Sequence, residues 1–86
     1  INTRIDLAAA EAALQRRWRH SFMEKGVTLI DPNSVFFCHD TQIDQDVTIY
    51  PNVTFGSNVK IGKGVVILPN CHIEKSKIGN DVTIGP

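Results

Sequence analysis

The sequence predicts a mainly β fold, in which residues 31–86 form a triangular solenoid of short parallel strands that follows one long α-helix. Two observations predict the solenoid. An apolar residue recurs every six positions from Phe37 onward, and a residue that tolerates a positive φ follows three positions later in most repeats. A third observation predicts the helix: residues 6–25 contain no Gly, no Pro and no β-branched residue. We expect about three coils of solenoid.

The helix is predicted over residues 4–25. Thr3 is a suitable N-cap, and Asp6, three residues later, gives a weaker version of the capping box. Gly26 suits the C′ position, where φ is often positive. One face carries a thin apolar stripe, which fits a linker helix that lies against a neighbouring domain. The stripe consists of Leu7, Leu14, Trp18 and Phe22.

Two columns of the six-residue repeat are apolar and are expected to fill the interior of the solenoid. Residues 27–30 form a short strand-like run, and the repeat itself begins at Phe37. The first column holds Phe37, Ile43, Ile49, Phe55, Ile61, Ile67, Ile73, Ile78 and Ile84. The fifth column holds Thr41, Val47, Val53, Val59, Val65, Cys71 and, after an irregular step, Val82.

The fourth column predicts the backbone corners. Its members are Asp40, Asp46, Asn52, Asn58, Gly64, Asn70 and Asp81. Asn, Asp and Gly tolerate a positive φ, so the chain is expected to turn every six residues and to close a triangle in eighteen. The step from Ile73 to Ile78 is one residue short, and a tighter corner there would keep Ile78 inward. A β-sandwich is the alternative, but hairpins favour alternation with a period of two.

Composition limits the partners and the compartment. Nine basic and nine acidic residues cancel, so neither nucleic acid nor a membrane is expected as a partner. The longest apolar runs have four residues, too few for a transmembrane helix, and no signal peptide is visible. Cys38 and Cys71 are far apart and are interpreted as reduced thiols of a cytoplasmic protein. Because the chain starts at Ile1 and stops at Pro86 in mid-repeat, we expect a fragment of a longer polypeptide.

Few residues are candidates for catalysis or metal binding. His39 and His72 fall in different columns without a third ligand at suitable spacing, so both are interpreted as surface histidines. Cys71 takes a Val position and is expected in the core, whereas Cys38 has no activating context. Residues 16–20 are basic and are expected to form a solvated helix face. Four lysines could attract an anion but form no phosphate-binding loop: Lys60, Lys63, Lys75 and Lys77. No catalytic residue is predicted within the chain.

The repeat Ile-Gly-x-x-Val-x, as in residues 61–66, resembles that of the hexapeptide acyltransferases. This resemblance implies a left-handed parallel β-helix and a homotrimer. The order of the segments is more specific than the repeat. A short segment at residues 1–7 leads into a helix that contains Ala10-Glu11, and residues 26–32, Gly-Val-Thr-Leu-Ile-Asp-Pro, follow the helix. Over its whole length the chain resembles the bacterial family of bifunctional N-acetylglucosamine-1-phosphate uridyltransferase/glucosamine-1-phosphate N-acetyltransferases.

By that resemblance, residues 1–4 end a uridyltransferase domain, residues 5–25 are a linker helix, and residues 26–86 begin the acetyltransferase domain. The family transfers acetyl from acetyl-CoA to glucosamine-1-phosphate. It then couples the product to UTP with the help of Mg²⁺, which yields UDP-N-acetylglucosamine for peptidoglycan and lipopolysaccharide. Asn2 matches the asparagine that helps bind Mg²⁺ and the nucleotide sugar, and an amide oxygen suits this hard cation.

The resemblance also implies that the chain alone is inactive, because the family's acetyltransferase residues lie beyond Pro86. Two alternatives remain open. One is another hexapeptide-repeat acyltransferase, and the other is a non-catalytic β-helix scaffold.

Overall fold

The computed structural model describes residues 3–86, which form one α-helix, one 3₁₀ turn and ten short strands. Helix α1 spans Arg4–Glu24, within one residue of the predicted end, and the 3₁₀ turn spans Pro32–Ser34. The strands are β1 (Thr28–Leu29), β2 (Val35–Phe36), β3 (Gln42–Ile43), β4 (Thr48–Ile49), β5 (Val53–Phe55), β6 (Val59–Ile61), β7 (Val66–Ile67), β8 (His72–Ile73), β9 (Ser76–Ile78) and β10 (Thr83–Ile84).

The strands form three parallel sheets, as the predicted triangular solenoid requires. Their orders are β1-β4-β7-β10, β2-β5-β8 and β3-β6-β9, so every third strand pairs and the chain makes about three coils. Most partners are eighteen residues apart, as are Val35 and Val53. The first coil is longer, since Thr28 pairs with Thr48, and the 3₁₀ turn lies within this coil. The solenoid therefore begins at β1, ahead of the predicted start of the repeat at Phe37.

The two apolar columns fill the interior, which confirms the prediction. Ile49, Ile61 and Ile67 of the first column are almost completely buried, and so are the valines of the fifth column from Val47 to Val65. Three first-column residues are only partly buried against this core: Ile43, Ile78 and Ile84. The prediction is wrong for Val82, which is 40% exposed in the last coil. Burial of β-branched side chains on both sides of each corner is what holds such short strands in register.

The corner column adopts the expected backbone at every member but one. Positive φ values between 58° and 74° occur at Asp46, Asn52, Asn58, Gly64, Asn70 and Asp81. The prediction is wrong for Asp40, which does not have a positive φ. Its corner is a hydrogen-bonded turn, in which Thr41 N–H donates to Cys38 O and Cys38 N–H donates to Thr41 Oγ1. A turn closed in this way does not need a positive φ at its third residue.

The shortened repeat is accommodated at one residue. Lys75 has a φ of 48°, and β9 follows at once and pairs with β6. Ser76 then lies opposite Val59, while Ile78 lies opposite Ile61 and packs against the core. The prediction that a tighter corner keeps Ile78 inward is confirmed.

Helix α1 lies against the first coil of the solenoid. The capping box of Thr3 and Asp6 is present, and Gly26 has a φ of 99° just after the helix. Trp18 and Phe22 of the predicted apolar stripe pack against the core, whereas Leu7 is 59% exposed. The solenoid therefore covers the helix only along its second half. Among the described residues, no helix has both the length and the hydropathy that crossing a bilayer requires.

Candidate functional site

Two polar helix residues position α1 on the solenoid; we call Gln15 and Arg19 the polar anchor. Gln15 Nε2 donates to Phe37 O at 2.8 Å, and Phe37 N–H donates to Gln15 Oε1 at 2.9 Å. Arg19 Nε donates to Val35 O at 3.0 Å. Both side chains are buried, at 3% and 8% exposure. The expectation that residues 16–20 form a solvated face is therefore wrong for Arg19.

The polar anchor takes the place of a missing coil. In the second coil of the β2-β5-β8 sheet, Thr54 N–H donates to Cys71 O and Gly56 N–H donates to Ile73 O. Each of these carbonyls thus accepts from the preceding coil. Val35 and Phe37 are the equivalent residues of the first coil, and their carbonyls have no earlier strand to accept from. The polar anchor supplies the two donors instead. Burial of unpaired backbone groups is costly, so the helix closes the open edge of the sheet.

Aromatic rings continue this contact into the core. The ring centroids of Phe22 and Phe37 are 4.6 Å apart, and those of Phe37 and Phe55 are 5.3 Å apart and nearly parallel. The Arg19 guanidinium lies 5.1 Å from the centroid of the Phe36 ring, within cation–π range. The helix is thus fixed to the first coil by both polar and apolar contacts.

Asn2, the one predicted binding residue, lies outside the described residues. In the first helical turn, the Asp6 carboxylate accepts the Thr3 N–H at 3.3 Å as one half of the capping box. Thr3 supplies the other half, because its Oγ1 accepts the Asp6 N–H at 3.1 Å. The described acidic residue of the first helical turn is therefore already engaged in the capping box.

Three consecutive residues gather potential ligand atoms at the corner between β2 and β3; we call Cys38, His39 and Asp40 the corner cluster. One sulfur, one ring nitrogen and one carboxylate oxygen lie within 4.8 Å of one another. Cys38 Sγ and His39 Nδ1 are 3.6 Å apart. His39 is exposed, whereas Cys38 and Asp40 are half-buried. The sequence analysis did not predict this cluster, because it considered only ligands separated along the chain. Three consecutive residues with metal-binding side chains were a signal that could have indicated it.

The Asp40 carboxylate has two different environments at its two oxygens. Oδ2 accepts the Asn58 N–H of the next coil at 3.1 Å. This hydrogen bond lowers the pKa of the Asp40 carboxyl below its ordinary value, against the opposing effect of burial. Oδ1 is buried and has no hydrogen-bond partner among the described residues. A charged group with one fixed and one unpaired oxygen is uncommon in a folded protein.

The other candidate groups remain separate. His72 lies in β8, is exposed and approaches Glu74 Oε1 at 3.3 Å, so it does not join His39. Cys71 is buried in the core as predicted, and burial raises the pKa of its thiol. Its Sγ donates to Leu68 O at 3.0 Å, so this thiol is not placed as a nucleophile.

A groove of about 380 Å³ runs along the β3-β6-β9 sheet. Lys60 and Lys77 lie side by side on its strands, next to Gln42 in the same row. Asp44 and Asn80 lie among its other lining residues. Of the four lysines considered in the sequence, the structure therefore brings two together, on a sheet face rather than in a loop that cradles phosphate.

Comparison with known proteins places this solenoid in a family. The profile of the family described as "Bacterial transferase hexapeptide (six repeats)" matches residues 40–75 and 58–86. The chain is 46% identical over all 86 residues to the bifunctional protein GlmU of Xanthobacter autotrophicus. It is 48% identical over 86 residues to the protein of the same name from Anaplasma marginale, and 49% identical over 81 residues to that of Gluconobacter oxydans.

These similarities cover the helix as well as the solenoid. The match to the Xanthobacter protein includes 100% of this chain but only 19% of that relative, and the other two relatives are covered to 20% and 18%. The chain thus spans about a fifth of the length of the curated relatives it matches.

Proposed function

Because the chain belongs to the bacterial transferase hexapeptide family, we propose that it supplies the linker helix and the first acetyltransferase coils of a bifunctional enzyme that makes UDP-N-acetylglucosamine. One observation carries this proposal: the similarity to the GlmU proteins covers both α1 and the solenoid. A relative that shared only the repeats would match the solenoid alone. The family resemblance further predicts that the coils wind left-handed.

The domain boundaries follow from the same proposal. Residues 1–4 end the uridyltransferase domain, residues 5–25 form the linker, and residues 26–86 begin the acetyltransferase domain. The structure supports a rigid connection, because the polar anchor and Phe22 join the linker helix to the first coil. In this role the helix sets the position of one catalytic domain relative to the other, and the coils form the base on which later coils stack.

Mg²⁺ belongs to the uridyltransferase reaction in this proposal, and Asn2 is the residue of this chain assigned to it. The residues present do not make up a site, since Asp6 is engaged in the capping box and no other described carboxylate lies at the helix start. Mg²⁺ prefers several oxygen ligands, so most of them must come from other parts of the enzyme. The proposed role of Asn2 is to add one amide oxygen for the metal and the nucleotide sugar.

Acetyl-CoA, glucosamine-1-phosphate and UTP are the proposed small-molecule substrates, and a homotrimer is the proposed assembly. The product would feed peptidoglycan and lipopolysaccharide synthesis in the cytoplasm. Support within the chain is limited to the family match and to two cysteines that form no disulfide in the described residues. By itself the chain is expected to be inactive in both reactions, because it spans only about a fifth of the length of the relatives that carry them out.

A chimeric enzyme tests this proposal directly. The 86 aligned residues of the Xanthobacter autotrophicus relative are replaced by this chain, after both reactions have been measured in the unmodified relative. We expect the chimera to keep acetyl transfer and uridylyl transfer within about tenfold of the unmodified protein, which is about 1.4 kcal/mol of barrier. Asn2→Ala in the chimera is expected to lower uridylyl transfer and to leave acetyl transfer unchanged.

A matched variant shows that the replaced segment is needed. Ile49→Asp places a carboxylate in the core, where the wild-type side chain is fully buried, and should abolish acetyl transfer. A chimera that folds and assembles like the relative but transfers no acetyl group would contradict the proposal. That outcome would favour another hexapeptide-repeat acyltransferase or a non-catalytic scaffold.

A further inference from the structure

We propose that the corner cluster binds Zn²⁺, with Cys38 Sγ, a ring nitrogen of His39 and a carboxylate oxygen of Asp40 as its three ligands. The cluster lies between β2 and β3, and none of the proposed roles in sugar or nucleotide chemistry uses it. The proposal does not depend on the proposed function, since it rests on the geometry of these three residues alone.

The distances fit a tetrahedral metal. Ideal Zn–S and Zn–N bonds of about 2.3 and 2.05 Å at a tetrahedral angle place sulfur and nitrogen about 3.6 Å apart. Cys38 Sγ and His39 Nδ1 are 3.6 Å apart. All three ligand atoms lie within 4.8 Å of one another, so the carboxylate needs only a small side-chain movement to join them.

The surroundings of the corner cluster hold its ligands in place. Asp40 Oδ2 accepts the Asn58 N–H, and the Cys38 N–H donates to Thr41 Oγ1. Hydrogen bonds of this kind orient metal ligands and are part of most metal sites. The buried Asp40 Oδ1 has no partner among residues 3–86, and a bound cation would satisfy it.

The chemistry of the ligands selects the metal. A thiolate and an imidazole favour Zn²⁺ over Mg²⁺ and Ca²⁺, which prefer oxygen ligands. The thiolate and the carboxylate together carry two negative charges, so a bound Zn²⁺ leaves the site neutral. Three protein ligands leave a fourth position for water.

Titration with metal alone tests this inference. Co²⁺ is added to the 86-residue chain, and the sulfur-to-cobalt charge-transfer band reports thiolate ligation; Zn²⁺ affinity is then measured by calorimetry. We expect one metal per chain. Cys38→Ser should remove the band, and His39→Gln and Asp40→Asn should each weaken Zn²⁺ binding by about tenfold or more. Zn²⁺ should also raise the urea midpoint of the wild type but not that of Cys38→Ser.

Two control variants separate this site from the rest of the chain. Cys71→Val keeps the apolar column intact, and His72→Gln removes an exposed imidazole, so both should bind Co²⁺ and Zn²⁺ as the wild type does. A cobalt band that survives in Cys38→Ser, or one that disappears in Cys71→Val, would overturn the proposal. Absence of one-to-one Zn²⁺ binding by the folded wild-type chain would overturn it as well.

Discussion

The carboxamide of Gln15 pairs with both backbone groups of Phe37, in place of the backbone groups of an earlier coil. Its nitrogen donates to the Phe37 carbonyl at 2.8 Å, and its oxygen accepts the Phe37 N–H at 2.9 Å. The second amide hydrogen of Gln15 is directed to Glu11 Oε2 at 2.7 Å, so every polar atom of the side chain is used. Together with Arg19, which donates to Val35 O, this side chain closes a parallel sheet that would otherwise present an open edge.

We expect Gln15→Ala to lower the free energy of unfolding by about 2–4 kcal/mol, because two buried backbone groups of Phe37 lose their partners. Urea unfolding followed by the fluorescence of Trp18, the only tryptophan in the chain, measures the change. Trp18 packs against the core beside the same helix face, so it reports the loss of this contact.

Arg16→Ala is the matched control for this prediction. Arg16 neighbours Gln15 on the helix but is exposed, so its truncation should change stability by no more than about 0.5 kcal/mol. If the two variants were equally stable, the Gln15 amide would not be closing the sheet edge.

The sequence and the structure agree where periodicity reports burial directly. The isoleucine and valine columns could be predicted because side chains that fill a repeating prism must recur at its period. The polar anchor could not, because one amide or one guanidinium that pairs with backbone leaves no periodic signal. Arg19 shows this well: it stands in a basic run, and only the packing of the helix reveals its bond to Val35 O.

The corner cluster was not predicted from the sequence, for a different reason. Asp40 occupies the fourth column and was expected to adopt a positive φ like Asp46, which has the predicted backbone. The turn at Cys38–Thr41 is instead closed by its own hydrogen bonds, which brings the Cys38, His39 and Asp40 side chains together. Spacing arguments treat consecutive residues as pointing apart, and that holds for strands but not for turns.

The close approach of two coils at Gly62 gives a second prediction. A Cβ at Gly62 would lie 2.9 Å from the carbonyl carbon of Gly79 and 3.0 Å from Asn80 N, both of them backbone atoms of the next coil. We expect Gly62→Ala to destabilise the fold by about 1–3 kcal/mol, because the coils must move apart. Thermal unfolding by circular dichroism measures the effect.

Gly79→Ala is the control in the same groove. A Cβ there meets no atom within 4 Å, so this variant should be neutral or stabilising by at most about 1 kcal/mol. Equal losses in the two variants would mean that glycine flexibility, rather than the contact between coils, decides stability at both positions.

Strain at the shortened repeat gives a third prediction. Lys75 has a φ of 48°, a left-handed conformation that costs an ordinary residue about 1–2 kcal/mol. Lys75→Asn should therefore stabilise the fold by about 0.5–1 kcal/mol, because Asn tolerates this region better. The urea midpoint measures the gain.

Lys77→Asn makes the same chemical change inside a strand. Lys77 lies in β9 with no positive φ, and Asn is unfavourable in strands, so this control should lose stability. A loss of similar size at Lys75 would show that its left-handed backbone carries no strain.

The buried thiol of Cys71 gives a pH-dependent prediction. Burial raises its pKa above the ordinary 9.0, because the thiolate is disfavoured in the core. The unfolded chain therefore loses this proton at a lower pH than the folded chain does. The stability that the neutral thiol contributes is complete below about pH 9 and is lost as the pH rises through the raised folded value. Urea midpoints measured from pH 7 to pH 10 should fall more steeply for the wild type than for Cys71→Val.

Cys38→Ser is the control, since Cys38 is only half-buried and its removal should leave the steeper slope unchanged. Thiol labelling provides a second measurement. At pH 8 the folded wild type should label quickly at one cysteine, and the second should label only on unfolding, because Cys71 is 5% exposed. If Cys71→Val and the wild type showed the same slope above pH 9, or if both thiols labelled at one rate in the folded chain, Cys71 would not be held neutral in the core.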